Sequence, residues 1–387
     1  MENNSNNQPL TQFILDQIRN SDGIPFRQFM QHCLYHPDYG YYMSARRRIG
    51  RYGDFYTSSS VHSLFGRLVA RQIVQMWQIM GGGAFTVVEQ GAGEGELAAD
   101  ILDYISAVEA QMYSNLRYIV VEISQDNRRR QQENLSAHGG VVDWCAFADL
   151  PRFSGCFLSN ELLDAFAVDI VEKHAGELSQ VYVTEKDGAF AEELRTPVAA
   201  DIREHFATLG VEPVEGNRAE VCTAVRDWVE AVAAKLERGF VVTIDYGYPA
   251  QELYAPFRRH GTLLCYHRHQ ANDNPYQHIG CQDITSHVDF TAVQQFGAAA
   301  GLDSVYFAEQ YRFLLALGFV EELLELQRHS NDEKEALAMR MTLKNLIMPE
   351  GGMGETFKVL IQSRGVKVPQ LLCQRRLSEI PLEVFSG

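Results

Sequence analysis

Val87-Val88-Glu89-Gln90-Gly91-Ala92-Gly93-Glu94-Gly95-Glu96-Leu97 is an apolar run that enters a glycine-rich turn and leaves it as an amphipathic segment reaching about Met112. That is the strand–turn–helix of a ligand-binding α/β sheet. Gly91 and Gly93 let the backbone turn sharply and approach a ligand, and Gly95 lets the helix pack against the strand. The turn also carries Glu89, Glu94 and Glu96. A pyrophosphate prefers a helix N-terminus free of anions. Carboxylates instead suit a ligand bearing a sulfonium and an ammonium, so the loop points to S-adenosylmethionine (SAM) over a dinucleotide.

The flanking chain repeats the alternation. Further strands are expected at Arg117–Glu122, Val141–Phe147, Cys156–Ser159 and Phe240–Ile244, with helices between them and two late strands near 303–308 and 356–362. Strands alternating with helices imply a parallel, doubly wound sheet. The expected architecture is an α/β, Rossmann-like, seven-stranded sheet with an N-terminal helical and aromatic lid and two insertions. The chain then divides into a helical segment and lid (1–80), a cofactor-binding half (81–165), an insertion (166–219), a second half (220–310), a helical insertion (311–346) and a closing strand with tail (347–387). A helix over Leu64–Met80 stops at three glycines, and another is expected over Glu220–Leu236.

Composition narrows the partners. The net charge is −16, which argues against a nucleic-acid partner and for a basic one. No stretch approaches the roughly 18 apolar residues that span a bilayer, so no membrane insertion is expected. Met1–Pro9 is Asn-rich without Lys or Arg, a frayed tail rather than a signal or transit peptide. Seven scattered Cys without a C-x-x-C pair read as free thiols in a reducing cytosol, hence a cytoplasmic protein.

Candidate site residues follow from strand ends, where ligands bind in such sheets. Glu122, ending the second strand, is suited to ribose hydroxyls. Asp149, just past the third, is either an acceptor for the adenine amine or a plain loop residue. Ser159-Asn160-Glu161-Leu162-Leu163-Asp164 ends the fourth. If a helix starts at Glu161, Glu161 and Asp164 share a face and can grip a guanidinium; alternatively Asn160 or Glu161 merely caps that helix. In Gly280–Phe290, His287 between Asp283 and Asp289 is placed to bind substrate or relay a proton, unless Asp283 is simply an N-cap. His260, His267, His269 and His278 with Cys265 lack zinc-like spacing, so no metal is expected.

The sequence resembles the MidA-type SAM-dependent methyltransferases. The matching blocks are LYHPDYGYY (34–42), GDFYTS (53–58), LFG (64–66), EQGAGEGEL (89–97), SNELLDAF (159–166), EVC (220–222), IDYGY (244–248), GTLLCYHRH (261–269) and DITSHVDF (283–290). They span nearly the whole chain. The resemblance implies SAM as cofactor, held at Gly91, Gly93 and Glu122, with the Asn160–Asp164 and His287 segments beside the transferred methyl. It implies that the aromatic block at 35–56 folds over the site, with Asp54, Thr57 and Ser58 near SAM. It also implies methylation of a protein arginine, in a respiratory complex I-type subunit for the family's mitochondrial members. Ser59-Ser60, Ala167 and Thr223 depart from the family's usual Pro-Glu, Pro and Pro. The competing expectations are a methyltransferase acting on a small molecule or another protein side chain, and a SAM-binding assembly factor without turnover.

Overall fold

The computed structural model describes residues 6–44, 54, 62–329, 343, 346–348, 354–376 and 378. Seven strands make the path of the central sheet: β1 (Phe85–Gln90), β2 (Leu116–Val121), β3 (Val142–Cys145), β4 (Phe153–Asn160), β5 (Leu236–Tyr248), β6 (Asp303–Glu309) and β7 (Phe357–Arg364). Their spatial order is β6-β7-β5-β4-β1-β2-β3. The β1, β2, β3, β4 and β5 pairings are parallel, and β7 pairs antiparallel with both β5 and β6. A two-residue strand, Val288–Asp289, pairs with the end of β5 off this path, so among the described residues the sheet has eight strands where seven were expected.

The period of two places alternate residues on opposite faces. Val87, Tyr118, Val120, Cys156, Leu158, Phe240 and Val242 face the helices Leu64–Ile79 and Glu96–Val108. Val88, Ile119, Val121, Phe157 and Val241 face the helices Ala224–Lys235 and Phe290–Ala299. Burial on both faces explains why the parallel strands read as near-continuous apolar runs.

A second sheet covers one end. Strands Asp169–His174, Glu177–Lys186, Ala189–Arg195 and Arg218–Val221 join Ile24–Pro25, and the helices Gln8–Ser21 and Phe26–Tyr35 pack against it. The helix expected from Glu220 therefore starts later, at Ala224. Glu220 belongs to the strand Arg218–Val221, paired with Ile170, and its buried carboxylate accepts the Thr262 amide (2.8 Å), the Thr262 hydroxyl (2.9 Å) and the Leu263 amide (3.3 Å). Of the segment expected to be a helical insertion, the described part holds helices Gln310–Ala316 and Phe319–His329.

Phe157, fully buried at the centre of β4, lies edge-on to Trp228 at 6.0 Å and to Phe147 at 6.4 Å. Phe157→Ala is expected to cost about 3–5 kcal/mol of stability, measured as a fall in the urea unfolding midpoint.

Candidate active site

β1 and β4 lie side by side while their onward connections diverge, which opens a crevice at the carboxyl ends of the strands. A cavity of about 550 Å³ fills it. On its wall the backbone after β1 turns with Gly91 at φ +78°, and a Cβ there would stand 2.9 Å from Leu162 Cδ1. Only glycine admits both that torsion and that approach. The helix Gln125–Asn134 braces the turn: Gln131 Nε2 donates to the Gly93 carbonyl (2.9 Å) and to Glu122 Oε2 (2.9 Å). Glu122 also accepts the Ser124 amide at 2.7 Å. Glu89 is buried beneath, accepting the Tyr118 hydroxyl at 2.6 Å, and burial pushes its pKa up to about 7.

Glu89, Gly91, Gly93 and Glu122 line the cavity. Gly95 and Asp149 do not. Gly95 lies instead against the helix Gln125–Asn134, where a Cβ would stand 3.4 Å from Gln131 Cγ. Asp149 is exposed, in a 3₁₀ turn whose Phe147 takes the place on the cavity wall. Asp54 lines the cavity, but its oxygens serve the fold: it accepts the Tyr41 hydroxyl (2.9 Å) and the Arg268 amide (2.7 Å). Thr57 and Ser58 lie outside the described residues.

Asn160, Glu161, Asp164 and His287 line the same cavity. No helix starts at Glu161, so the helix-face and helix-cap readings both fall. Glu161 sits at φ +52°, and its amide donates to the Ile244 carbonyl at 2.9 Å. The chain then turns so that the amides of Leu162 (3.1 Å), Leu163 (2.8 Å) and Asp164 (3.4 Å) all point at Asp245 Oδ2. A left-handed non-glycine residue costs roughly 1–2 kcal/mol, a strain characteristic of working sites. The turn still brings both carboxylates to one wall.

Asp164 is buried and accepts the Tyr246 hydroxyl through Oδ2, while its Oδ1 and Asn160 Oδ1 are buried without a hydrogen-bond partner among the described residues. Burial raises the Asp164 pKa, and the Tyr246 hydrogen bond opposes that rise. His287 stands edge-on to Tyr246 at 5.4 Å, and burial, then Arg258 and Lys358, lower its pKa to about 4, so it is neutral at neutral pH.

Asp283 is no N-cap. It lies in the strand Asp283–Thr285 and accepts the Tyr42 hydroxyl on both oxygens, at 2.8 and 2.9 Å. Asp289 is the cap, accepting the Ala292 amide at 3.1 Å. The aromatic block contributes Tyr35 and Tyr42, stacked at 5.4 Å on the cavity wall. Tyr246 and Asp245 escaped the sequence reading, although the strand-end IDYGY block contains both. Among the described residues no His, Cys, Asp and Glu cluster is placed to hold a metal, and no helix is long and apolar enough to cross a membrane.

Eight carboxylates line the cavity, those of Asp54, Glu89, Glu94, Glu96, Glu122, Glu161, Asp164 and Asp283. Together with the close approach at Gly91, they fit a cationic cofactor and disfavour a phosphate-bearing one. On the assignment of Glu122 to ribose hydroxyls, Glu122→Ala is expected to weaken S-adenosyl-homocysteine binding by about 1–3 kcal/mol in calorimetry. Unchanged affinity would remove Glu122 from the cofactor site.

A family described as "Putative S-adenosyl-L-methionine-dependent methyltransferase" matches residues 68–308. A crystal structure from Burkholderia thailandensis, bound to S-adenosyl-homocysteine, is 35% identical over 95% of both chains with a TM-score of 0.87. The chain is also 27% identical to the Drosophila melanogaster protein arginine methyltransferase NDUFAF7 homolog, mitochondrial, over 92% of this chain and 85% of that one. It is 24% identical to the Homo sapiens protein arginine methyltransferase NDUFAF7, mitochondrial, over 90% and 82%. These names correct the cytoplasmic expectation: the curated relatives are mitochondrial, and free thiols fit any reducing compartment, so cysteine usage does not select the cytosol. The glycine turn, the acidic cavity and these matches agree, and the chain belongs to the S-adenosyl-L-methionine-dependent methyltransferase family.

Proposed function

We propose that the chain methylates an arginine side chain of a protein, a respiratory complex I-type subunit on the family resemblance. The observation that carries this reading is the pair of carboxylates, Glu161 and Asp164, on the wall of the cavity that the cofactor turn also lines. The names of the curated relatives support it. SAM, held by the Glu89–Gly93 turn and Glu122, would supply an electrophilic methyl on a sulfonium.

The chain's own contribution is orientation and charge. A guanidinium presents its N–H donors in a planar fork that matches carboxylates. Asp164 Oδ1, buried and without a hydrogen-bond partner among the described residues, is an acceptor for one of them. Asn160 Nδ2 donates to Glu161 Oε1 at 3.2 Å and steadies the second carboxylate. The attacking nitrogen must lose a proton as it gains a methyl. Asp164, with its raised proton affinity, is the group suited to take it. Neutral His287 beside Tyr246 adds no cation that would repel the substrate.

Glu161→Gln is expected to leave S-adenosyl-homocysteine affinity nearly unchanged and to lower methyl transfer by about a hundredfold, followed by mass spectrometry with labelled SAM. Full transfer by that variant would refute the grip on the guanidinium. The pH dependence has a defined sign. Ionised Asp164 is the active form, so transfer should fall on acidification, with its acid limb above the ordinary Asp value of about 3.9. Initial rates that rise toward acid pH would exclude Asp164 from this role.

A further inference from the structure

Asp245 does not line the cavity, yet it is fully buried at the end of β5, directly behind the turn that carries Glu161 and Asp164. Four backbone amides converge on it. Those of Leu162, Leu163 and Asp164 reach Oδ2, and that of Tyr246 reaches Oδ1 at 2.9 Å. Among the described residues no Lys, Arg or His forms an ion pair with it. A buried carboxylate stabilised by amides alone is costly compared with a neutral isostere. Both of its oxygens accept, so an Asn would turn an N–H donor toward one of the amides and could not hold all four.

We infer that Asp245 is a positioning residue for methyl transfer: it anchors the turn that aims the Glu161 and Asp164 carboxylates. The inference rests on the arginine reading above. The anchoring is geometric. Three successive amides on one oxygen fix the chain direction just after Glu161, whose φ of +52° has no glycine to ease it. Two buried carboxylates cannot both ionise freely. Burial and then the Asp164 charge hold the Asp245 carboxyl well above its ordinary value, so the proton the pair shares stays on Asp245 and Asp164 is left to ionise.

The test is Asp245→Asn in the full chain, with Glu161→Gln run in parallel and S-adenosyl-homocysteine binding as the control for folding. The expected result is unchanged cofactor affinity and a kcat for methyl transfer reduced by about a hundredfold, the scale of a misplaced catalytic group. A merely structural residue would lower cofactor affinity and transfer together. If Asp245→Asn fails to bind S-adenosyl-homocysteine, Asp245→Ser takes its place with the same expectations, since it is smaller and still accepts one amide. Normal transfer overturns the inference, as does transfer lost in step with cofactor affinity in both variants. The two readings separate cleanly: if Glu161→Gln retains full transfer the arginine reading fails, whereas loss in Glu161→Gln with normal Asp245→Asn sinks only the role of Asp245.

Discussion

Concentrating carboxylates around one partly enclosed cavity is the constraint to which the rest of the molecule answers. Each carboxylate taken from water loses solvation that must be replaced by hydrogen bonds or by opposite charge. Glu94 uses charge, through Arg130 Nη1 at 2.5 Å. The others described above are held largely by neutral donors: Tyr118 on Glu89, Tyr42 on Asp283, Tyr246 on Asp164, Tyr41 on Asp54, and Ser124, Asn127 and Gln131 on Glu122. A tyrosine hydroxyl satisfies a carboxylate without cancelling its field. The cavity is thereby kept negative, which is what a sulfonium cofactor and a guanidinium acceptor both require.

This requirement explains why elements remote in sequence converge on the crevice. The N-terminal helices pack on the small sheet, and that packing delivers Tyr41 to Asp54 and Tyr42 to Asp283, which is 241 residues away in sequence. The hairpin of Leu264–His267 and Gln270–Asn272 is pinned in turn, because Asp54 accepts the Arg268 amide at its tip. A parallel sheet alone exposes strand ends but does not close over them. The aromatic segment and the hairpin supply the walls.

The parts legible in the sequence were those written in local patterns. The glycine turn, the strand–helix alternation and the carboxylates at strand ends all follow from short-range spacing, and the structure gathers Glu89, Gly91, Gly93, Glu122, Asn160, Glu161, Asp164 and His287 around one cavity. What failed was local structure dictated from afar. Glu161 reads as a helix start because Glu-Leu-Leu-Asp has helical spacing, but Asp245, far along the chain, captures the amides that a helix would have left for capping. Glu220 reads as a helix residue until Thr262 claims its carboxylate. Asp283 and Asp289 exchange the roles their spacing suggests, because only the structure reveals Tyr42 opposite the first.

The same carboxylates set a relation between the fold and its ligands. Burial raises Glu89 to about 7, so between its ordinary value and that point the folded chain binds a proton that the unfolded chain has released. By linkage, this group's contribution to stability declines as pH rises through that window. A cation in the cavity reverses the preference, since its attraction favours the ionised carboxylate over the protonated one. The free energy that the fold gives up by ionising Glu89 at neutral pH then reappears as affinity for a positively charged ligand. An acidic site built on neutral donors is thus a modest weakness in the ligand-free fold and the origin of its selectivity. It also accounts for the hydroxyls: had arginines neutralised these carboxylates, the fold would be relieved and the cavity would have no charge left to offer.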